Sequence, residues 1–366
     1  MLTVKEILED AVARGASDVH LAVGSPPAYR IDGQIVFVGD GMLKPDDTSE
    51  VIKQFMAPHQ RQDFETQSEY DLAVSISGVG RFRTNVFRQR GVVGVVFRHV
   101  RGNIQNFEEL NLPPVMEQIA QLRRGLVLIT GTTGSGKSTT LASAVDHINR
   151  TRQCHILTLE DPIEFLHTNN KSIVTQREIA IDTQDFMGAL RSALREDPDV
   201  ILIGEMRDTE TFQAAISAAE TGHLVFSTLH TTNVMMTIDR IVDLFPSTQH
   251  DQVRAALAMQ LKASVAMRLL PKKDEDGRVP AVEVMLANPA IAGLIRDNNI
   301  RRIPTAVLSG KEEGMQSFNM SLADLVKKEL VDEEEAMLWS DNPEELRMNL
   351  QGIFLSQHTR GGILLK

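Results

Sequence analysis

The chain has 366 residues, 42% of them hydrophobic and 24% charged, with a formal net charge of −11. That length supports two or three packed domains, and the acidic balance argues against nonspecific phosphate-backbone binding as the main task. Cys154 is the sole cysteine, which excludes an intramolecular disulfide and any multi-cysteine zinc site.

No apolar run approaches the roughly 20 residues that cross a bilayer. The opening MLTVKEILEDAVARG mixes acids with its apolar residues and has no cleavage-site pattern, so it does not read as a signal peptide, and a cytoplasmic location is expected. Val4, Ile7, Leu8 and Ala11 at helical spacing predict a helix over 3–14, ended by Gly15. SDVHLAV reads as a strand, and SPPAYRIDGQIVFV as a hairpin turning at Asp32-Gly33. A helix over 47–55 and strands over 70–76, 81–88 and VVGVVFRHV complete a small α/β domain, residues 1–98.

From Arg81 to Arg101 the chain carries six arginines and no acid. Arg81-Phe82-Arg83 alternates, which places both guanidinium groups on one strand face. A solvated face is one reading, favoured for Arg88, Arg90 and Arg98. Phosphate contact by Arg81 and Arg83, whose planar forks suit phosphate, is the other.

RGNIQNFEELNLPP is polar with a double proline and reads as a linker, 99–114. Beyond it, GLVLIT, a helix from Ser138, HILTLE, a helix near 185–195, DVILIG, a helix to Thr221 and HLVFSTLH alternate. Short Val, Ile and Leu runs between helices predict a parallel sheet covered on both faces, within 115–286. Past Pro246 the pattern turns mostly helical, interrupted by a hairpin at Asp276-Gly277, and 287–366 is expected to be helical.

Gly131, Gly136, Lys137 and Ser138 fit G-x-x-x-x-G-K-[ST] between a strand and a helix. The whole loop, Gly131, Thr132, Thr133, Gly134, Ser135, Gly136, Lys137, Ser138 and Thr139, is read as a phosphate cradle. Its glycines let backbone N–H groups close around phosphate oxygens at the positive end of the following helix. Lys137 would neutralise the β and γ phosphates, and the Ser138 hydroxyl would ligate magnesium.

DVILIGEMRD ends an apolar run in a carboxylate, at the strand edge where open α/β sheets bind ligands. Gly204 stands where an aspartate is usual, so the adjacent Glu205 is assigned to orient or deprotonate the attacking water; a surface glutamate closing a strand is the bland alternative. TLEDPIEF ends another run in Glu160 and Asp161, with Glu164 close behind. Because Gly204 has no side-chain oxygen, Glu160 joins Ser138 and Glu205 as a candidate magnesium ligand or water contact, although Glu-Asp-Pro alone is more often a turn signal. His223 and His230 bracket HLVFSTLH; His230, at the predicted carboxyl end, would sense the γ phosphate. Falling at opposite ends of one strand, the two are not read as a metal pair.

ASDVHL, SPPAYRIDG, GTTGSGKSTT, TLEDPIEF, ALREDPDVILIGEMRD and TGHLVFSTLHTT occur in this order and spacing. Together they resemble the secretion-superfamily ATPases, most closely the branch that retracts type IV pili in twitching motility, and the resemblance runs on through GMQSFNMSLADLV. It implies an α/β chain with an N-terminal PAS-like domain, a RecA-like P-loop ATPase domain and a helical C-terminal region. It also implies ATP and Mg2+ as cofactors and assembly as a homohexamer. By position, Gly131 to Ser138 match the family's Walker A, Glu160 to Glu164 its Asp box, Glu205 its Walker B glutamate, and His223 and His230 its His box. Arg81 and Arg83 match N-terminal-domain arginines that lie close to the nucleotide in this family, so the catalytic set implied is Glu205, Glu160, His230, Arg81 and Arg83. Hydrolysis in such proteins rotates one domain against the other and moves an inner-membrane platform protein, with the ATPase cytoplasmic and peripheral to that machine.

Assembly-type relatives carry a tetracysteine zinc subdomain, which one cysteine cannot build. AIAGLIRD, residues 290–297, departs from the Ala-Ile-Arg-Asn-Leu-Ile-Arg-Glu common in the retraction branch. An accessory pilus ATPase or related secretion ATPase is the nearest alternative. A P-loop phosphotransferase would need an acceptor pocket and lid, and no lid-like insertion is apparent. A nucleic-acid motor is disfavoured by the acidic balance.

Overall fold

In the computed structural model the described residues are 3–100, 102–274 and 277–353. Contacts divide them into two compact units: a first that runs to Asn103 and takes in Ile163–Leu166, and a second made of Ile104–Pro162 and the chain from His167 onward. No helix among the described residues is long and apolar enough to cross a membrane.

The first unit begins with α1 (Val4–Ala13), which buries Val4, Ile7, Leu8 and Ala11. Its start is fixed reciprocally: the Thr3 hydroxyl accepts the Glu6 N–H and the Glu6 carboxylate accepts the Thr3 N–H. Then come β1 (Asp18–Leu21), β2 (Ala28–Ile31), β3 (Gln34–Phe37), α2 (Pro45–Phe55), α3 (Pro58–Gln67), β4 (Glu69–Ile76), β5 (Gly80–Gln89) and β6 (Val92–Val100). Asp32 (φ 48°) and Gly33 (φ 80°) turn the β2–β3 hairpin in the left-handed backbone such a two-residue loop needs. The sheet runs β3-β2-β1-β6-β5-β4 with every pair antiparallel. Leu8, Tyr29, Phe64, Phe82, Val86, Val95 and Phe97 fill its core.

Along β5 the burial alternates, with Phe82, Thr84 and Val86 inward and Arg81 and Arg83 half-buried on the other face. Two of the three arginines read as a solvated face also take part in ion pairs. Register sets Arg98 opposite Asp18, and the Arg98 Nε lies 2.8 Å from a buried Asp18 carboxylate. Arg88 pairs with Glu65 and sits 5.2 Å over the Phe64 ring. Arg90 is exposed, and Arg101 lies outside the described residues.

In the second unit, the stretch read as a linker is already packed: Phe107 and Leu112 are buried with Val115, Met116 and Ile119. The elements are α4 (Val115–Ala120), β7 (Gly125–Thr130), α5 (Lys137–Thr151), β8 (His155–Glu160), β9 (Ile173–Glu178), α6 (Phe186–Ala193), β10 (Val200–Ile203), α7 (Thr209–Glu220), β11 (Leu224–Leu229), α8 (Val234–Asp243) and α9 (His250–Gln260). They are followed by β12 (Leu261–Pro271), β13 (Arg278–Leu286), α10 (Pro289–Arg296), α11 (Ile303–Ser309), α12 (Phe318–Lys327), α13 (Glu333–Trp339) and α14 (Pro343–Leu350). The segment AIAGLIRD forms most of α10, with Ile291 and Ile295 buried.

The strand order is β13-β12-β7-β11-β10-β8-β9. All neighbours are parallel except β12 and β13. Both faces are covered: Leu126 and Leu128 of β7 join one core, Val127 and Ile129 the other. After Pro246 the described chain is mostly helical, as expected, and the expected hairpin is the antiparallel pair β12–β13. β12 pairs with β7 and β13 with β12, so a two-stranded ribbon extends the main sheet. The expected turn at Asp276-Gly277 includes Asp276, which lies outside the described residues.

Candidate active site

Because β7, β11, β10 and β8 run parallel and side by side, the segments that follow them emerge along one edge of the sheet, where ligands bind in open α/β folds. Those segments carry the loop from Gly131, then His230, Glu205 and Asp161.

The loop after β7 bends through Gly131 (φ 148°), Gly134 (φ 77°) and Gly136 (φ 97°). At Gly131 a Cβ would stand 2.3 Å from Ser135 Oγ and 2.6 Å from the Met267 carbonyl oxygen, so the turn admits only glycine. Ser135 is buried and its hydroxyl has no protein partner, a donor inside the cradle that an anion can satisfy. Lys137 is only 9% exposed. Its Nζ donates to the carbonyls of Gly131 (2.9 Å) and Thr132 (3.0 Å), which holds the ammonium against the loop. Ser138 and Thr139 are half-buried in the first turn of α5, and Thr132, Thr133 and Gly134 are exposed at the rim. The N–H groups of that turn and the helix dipole favour a bound phosphate there.

Glu205 follows β10. Its Oε2 is 2.8 Å from Arg207 and its Oε1 is 3.3 Å from His230 Nε2. Burial raises the Glu205 carboxyl, but the hydrogen bond from Arg207 and the charges of His230, Arg207 and Lys137 outweigh it and hold the group below its usual range. Arg207 is shifted upward by Glu205 and, more weakly, by Asp161. The lysine of the loop, Glu205, Arg207, His230 and Asp161 thus feel one another within a single unit.

The backbone around Glu205 is held on both sides. Gly204 N–H donates to the Leu159 carbonyl at 2.8 Å. The Thr228 hydroxyl donates to the Gly204 carbonyl at 2.7 Å, and the Thr228 carbonyl accepts the Met206 N–H at 3.2 Å. Gly204 has a local reason too: a Cβ would lie 3.3 Å from the Leu159 oxygen, so an aspartate there would start against a carbonyl.

Glu160 ends β8 with its Oε1 accepting from Thr158 Oγ1 (2.6 Å) and Gln176 Nε2 (3.1 Å). His223 sits at the amino end of β11, where its Nδ1 is 2.8 Å from the Ala218 carbonyl oxygen and 3.1 Å from Thr221 Oγ1. Arg81, Arg83 and Glu164 belong to the first unit. Sequence reasoning missed Arg207 and Thr228. Each stands two positions from a residue it did name, Glu205 and His230, but their roles depend on neighbouring strand ends.

Residues 1–313 match the family described as Type II/IV secretion system protein. The chain is 46% identical to the type IV pilus retractation ATPase PilT of Pseudomonas aeruginosa, over 94% of this chain and 99% of that protein. It is 39% identical to the type IV pilus ATPase PilU of the same organism, over 95% and 91%. The fold is mixed α/β, as in the crystal structure of the pilus retraction motor PilT with bound ADP, to which this chain is similar with a TM-score of 0.87 over 95% of its length and 99% of that chain. The chain belongs to the Type II/IV secretion system protein family.

Proposed function

We propose that this protein is the ATP-hydrolysing motor of a type IV pilus retraction machine. The observation that carries the reading is the convergence of a lysine-bearing phosphate loop with Glu205, Arg207 and His230 at one sheet edge. Its similarity over nearly its whole length to a retraction ATPase supports the assignment of the work done.

ATP would be held with its β and γ phosphates in the loop 131–139, against Lys137 and the first turn of α5. Glu205, kept ionised at neutral pH by Arg207, His230 and Lys137, accepts the proton of the attacking water. Arg207 and His230 fix the two carboxylate oxygens, so the base is oriented before substrate arrives. Glu160, whose Oε1 is already committed to Thr158 and Gln176, is assigned to hold water rather than to take the proton. The oxygen donors Ser138, Glu160 and Glu205 suit magnesium, which prefers phosphate, carboxylate and water oxygens and which, when bound, neutralises charge on the terminal phosphates. Among the described residues no group of three or more His, Cys, Asp or Glu side chains could hold a metal by itself, so such an ion depends on the nucleotide for ligands.

Arg81 and Arg83 are assigned to phosphate contact from the first domain. The working form is a homohexamer with a PAS-like domain (1–98), a RecA-like domain (115–286) and a helical region (287–366), the segment 99–114 joining the first two while packing Phe107 and Leu112 into the core of the second unit. It acts in the cytoplasm, peripheral to an inner-membrane pilus platform protein. Identity with PilU favours an accessory pilus ATPase as the second reading. Deleting the gene tests both: retained surface fibres with twitching lost is the result expected of a main retraction motor. Twitching undiminished would assign the work elsewhere, and fibres lost would point to assembly.

A further inference from the structure

His230 reaches Glu205 from the turn between β11 and α8, and that turn is held by the β12–β13 ribbon. Glu283 of β13 is 8% exposed. It lies opposite Ala266, and its Oε2 accepts the Val234 N–H at 2.8 Å. Val234 is the first residue of α8, four positions after His230. A second clamp comes from Arg268 of β12, whose guanidinium spans Asp341 (2.8 Å), the Trp339 carbonyl (2.6 Å) and the Thr232 carbonyl (3.5 Å) while lying 4.0 Å over the Phe318 ring. Within the turn, Thr231 and Thr237 share a buried hydroxyl contact of 2.7 Å.

The same ribbon borders the phosphate loop. Ala266 pairs with Thr130, the last residue of β7. The Met267 carbonyl is the backbone atom that stands against a side chain at Gly131, and the Met267 sulfur takes the Thr140 hydroxyl at 3.3 Å. One face of β12 therefore touches the phosphate loop, and its other face, with Glu283, holds the turn that carries His230. Burying a carboxyl is unfavourable, and here burial pushes Glu283 up to about 7 although the Val234 N–H and the Arg268 charge pull it down. A neutral side chain would avoid that cost but could not accept the helix-start N–H so strongly.

We infer that Glu283 is a positioning residue. By accepting the Val234 N–H it sets the turn that places His230 against Glu205. The inference rests on the ATPase reading only for its kinetic readout. Three variants separate its elements. Glu283→Gln keeps an acceptor oxygen, Glu283→Leu fills the space without one, and Val234→Pro removes the donor. Proline suits the first position of a helix, and Asn233 before it is already extended (φ −155°, ψ 169°), as a residue preceding proline prefers.

Glu283→Leu and Val234→Pro should each lower ATP turnover about ten- to a hundredfold with the KM for ATP within about twofold, while Glu283→Gln stays near wild type. In a His230→Ala background neither should cost anything more. Equal losses with and without His230, or unchanged turnover in both variants, would overturn the inference. Crystals of Val234→Pro and Glu283→Leu give a readout that needs no hydrolysis. The separation of His230 Nε2 from Glu205 Oε1, 3.3 Å here, should open beyond about 3.5 Å, and an unchanged separation would contradict the claim even in a protein that hydrolyses nothing.

Discussion

The two sheets of this protein handle charge in opposite ways. In the parallel sheet, β7, β10 and β11 are buried at every position, and the groups that can do chemistry stand past the strand ends. In the antiparallel sheet, charges lie along the strands and are partnered: Asp18 of β1 with Arg98 and Arg30, and Arg88 of β5 with Glu65. Strands covered on both faces, as β7, β10 and β11 are, leave no room for charge except past their ends. A carboxylate collected there beside a lysine-bearing loop is a candidate for catalysis, whereas a carboxylate on a half-wetted face is more simply a structural group.

Substitutions can break that contrast, with tenfold in rate taken as about 1.4 kcal/mol. The largest effect should come from Glu205→Gln, which keeps nucleotide binding but cuts phosphate release at least ~100-fold. Full activity in that variant would move the base to Glu160. Next, Asp18→Ala should lower unfolding stability by about 2 kcal/mol, the scale of lost charged hydrogen bonds, without altering turnover per folded molecule. The effect stays moderate because Arg98 and Arg30 are 63% and 39% exposed and can turn to water. Burial raises the Asp18 carboxyl, but hydrogen bonds from Ser17 and Arg98 hold it below its usual range. Its stabilising share is therefore complete above the unfolded carboxyl value of about 3.9 and is lost as pH falls through the lower folded value. Urea titrations should show wild type and Asp18→Asn converging only under acid conditions; a constant gap would refute this.

A smaller loss, about tenfold in turnover, is expected for Thr228→Val, which removes the hydroxyl that holds the Gly204 carbonyl. Melting curves alongside the kinetics would separate that loss from instability. The smallest effect should be that of Asp208→Ala. Asp208 stands only three residues beyond Glu205, yet its carboxylate caps α7 by accepting the Thr211 N–H at 2.7 Å. About 1 kcal/mol of stability should go, with turnover within about twofold. A catalytic collapse there would mean that proximity in the motif, rather than placement at the edge, decides function.

Much of this was legible from residue order. The apolar runs of β7, β8, β10 and β11, the glycine-rich loop, the hairpin at Asp32-Gly33 and the buried stripe of α1 all follow from local pattern. Other elements carry little local signal. In α3, PHQRQDFETQ buries a single side chain, Phe64, so its periodicity is nearly blank. Strand β9 has no fully buried position before Glu178, as suits a sheet edge. The hairpin that forms the ribbon is signalled at Asp276-Gly277, but the start of its first strand is not. HDQVRAALAMQLKASVAMRLL passes from α9 into β12 without a glycine or proline, and pairing with β7 on one side and β13 on the other makes the second half a strand. At the site, the loop and Glu205 carry motif signals. Arg207, Thr228 and Glu283 do not, because each acts on a group that only the strand order brings near.

Phosphate release from ATP, with and without magnesium, by wild type and Lys137→Ala is the most direct test of the central claim. Wild type should hydrolyse ATP only when magnesium is present, and Lys137→Ala should fall by more than ~100-fold with its fold intact. Hydrolysis at the wild-type rate by Lys137→Ala would contradict the account.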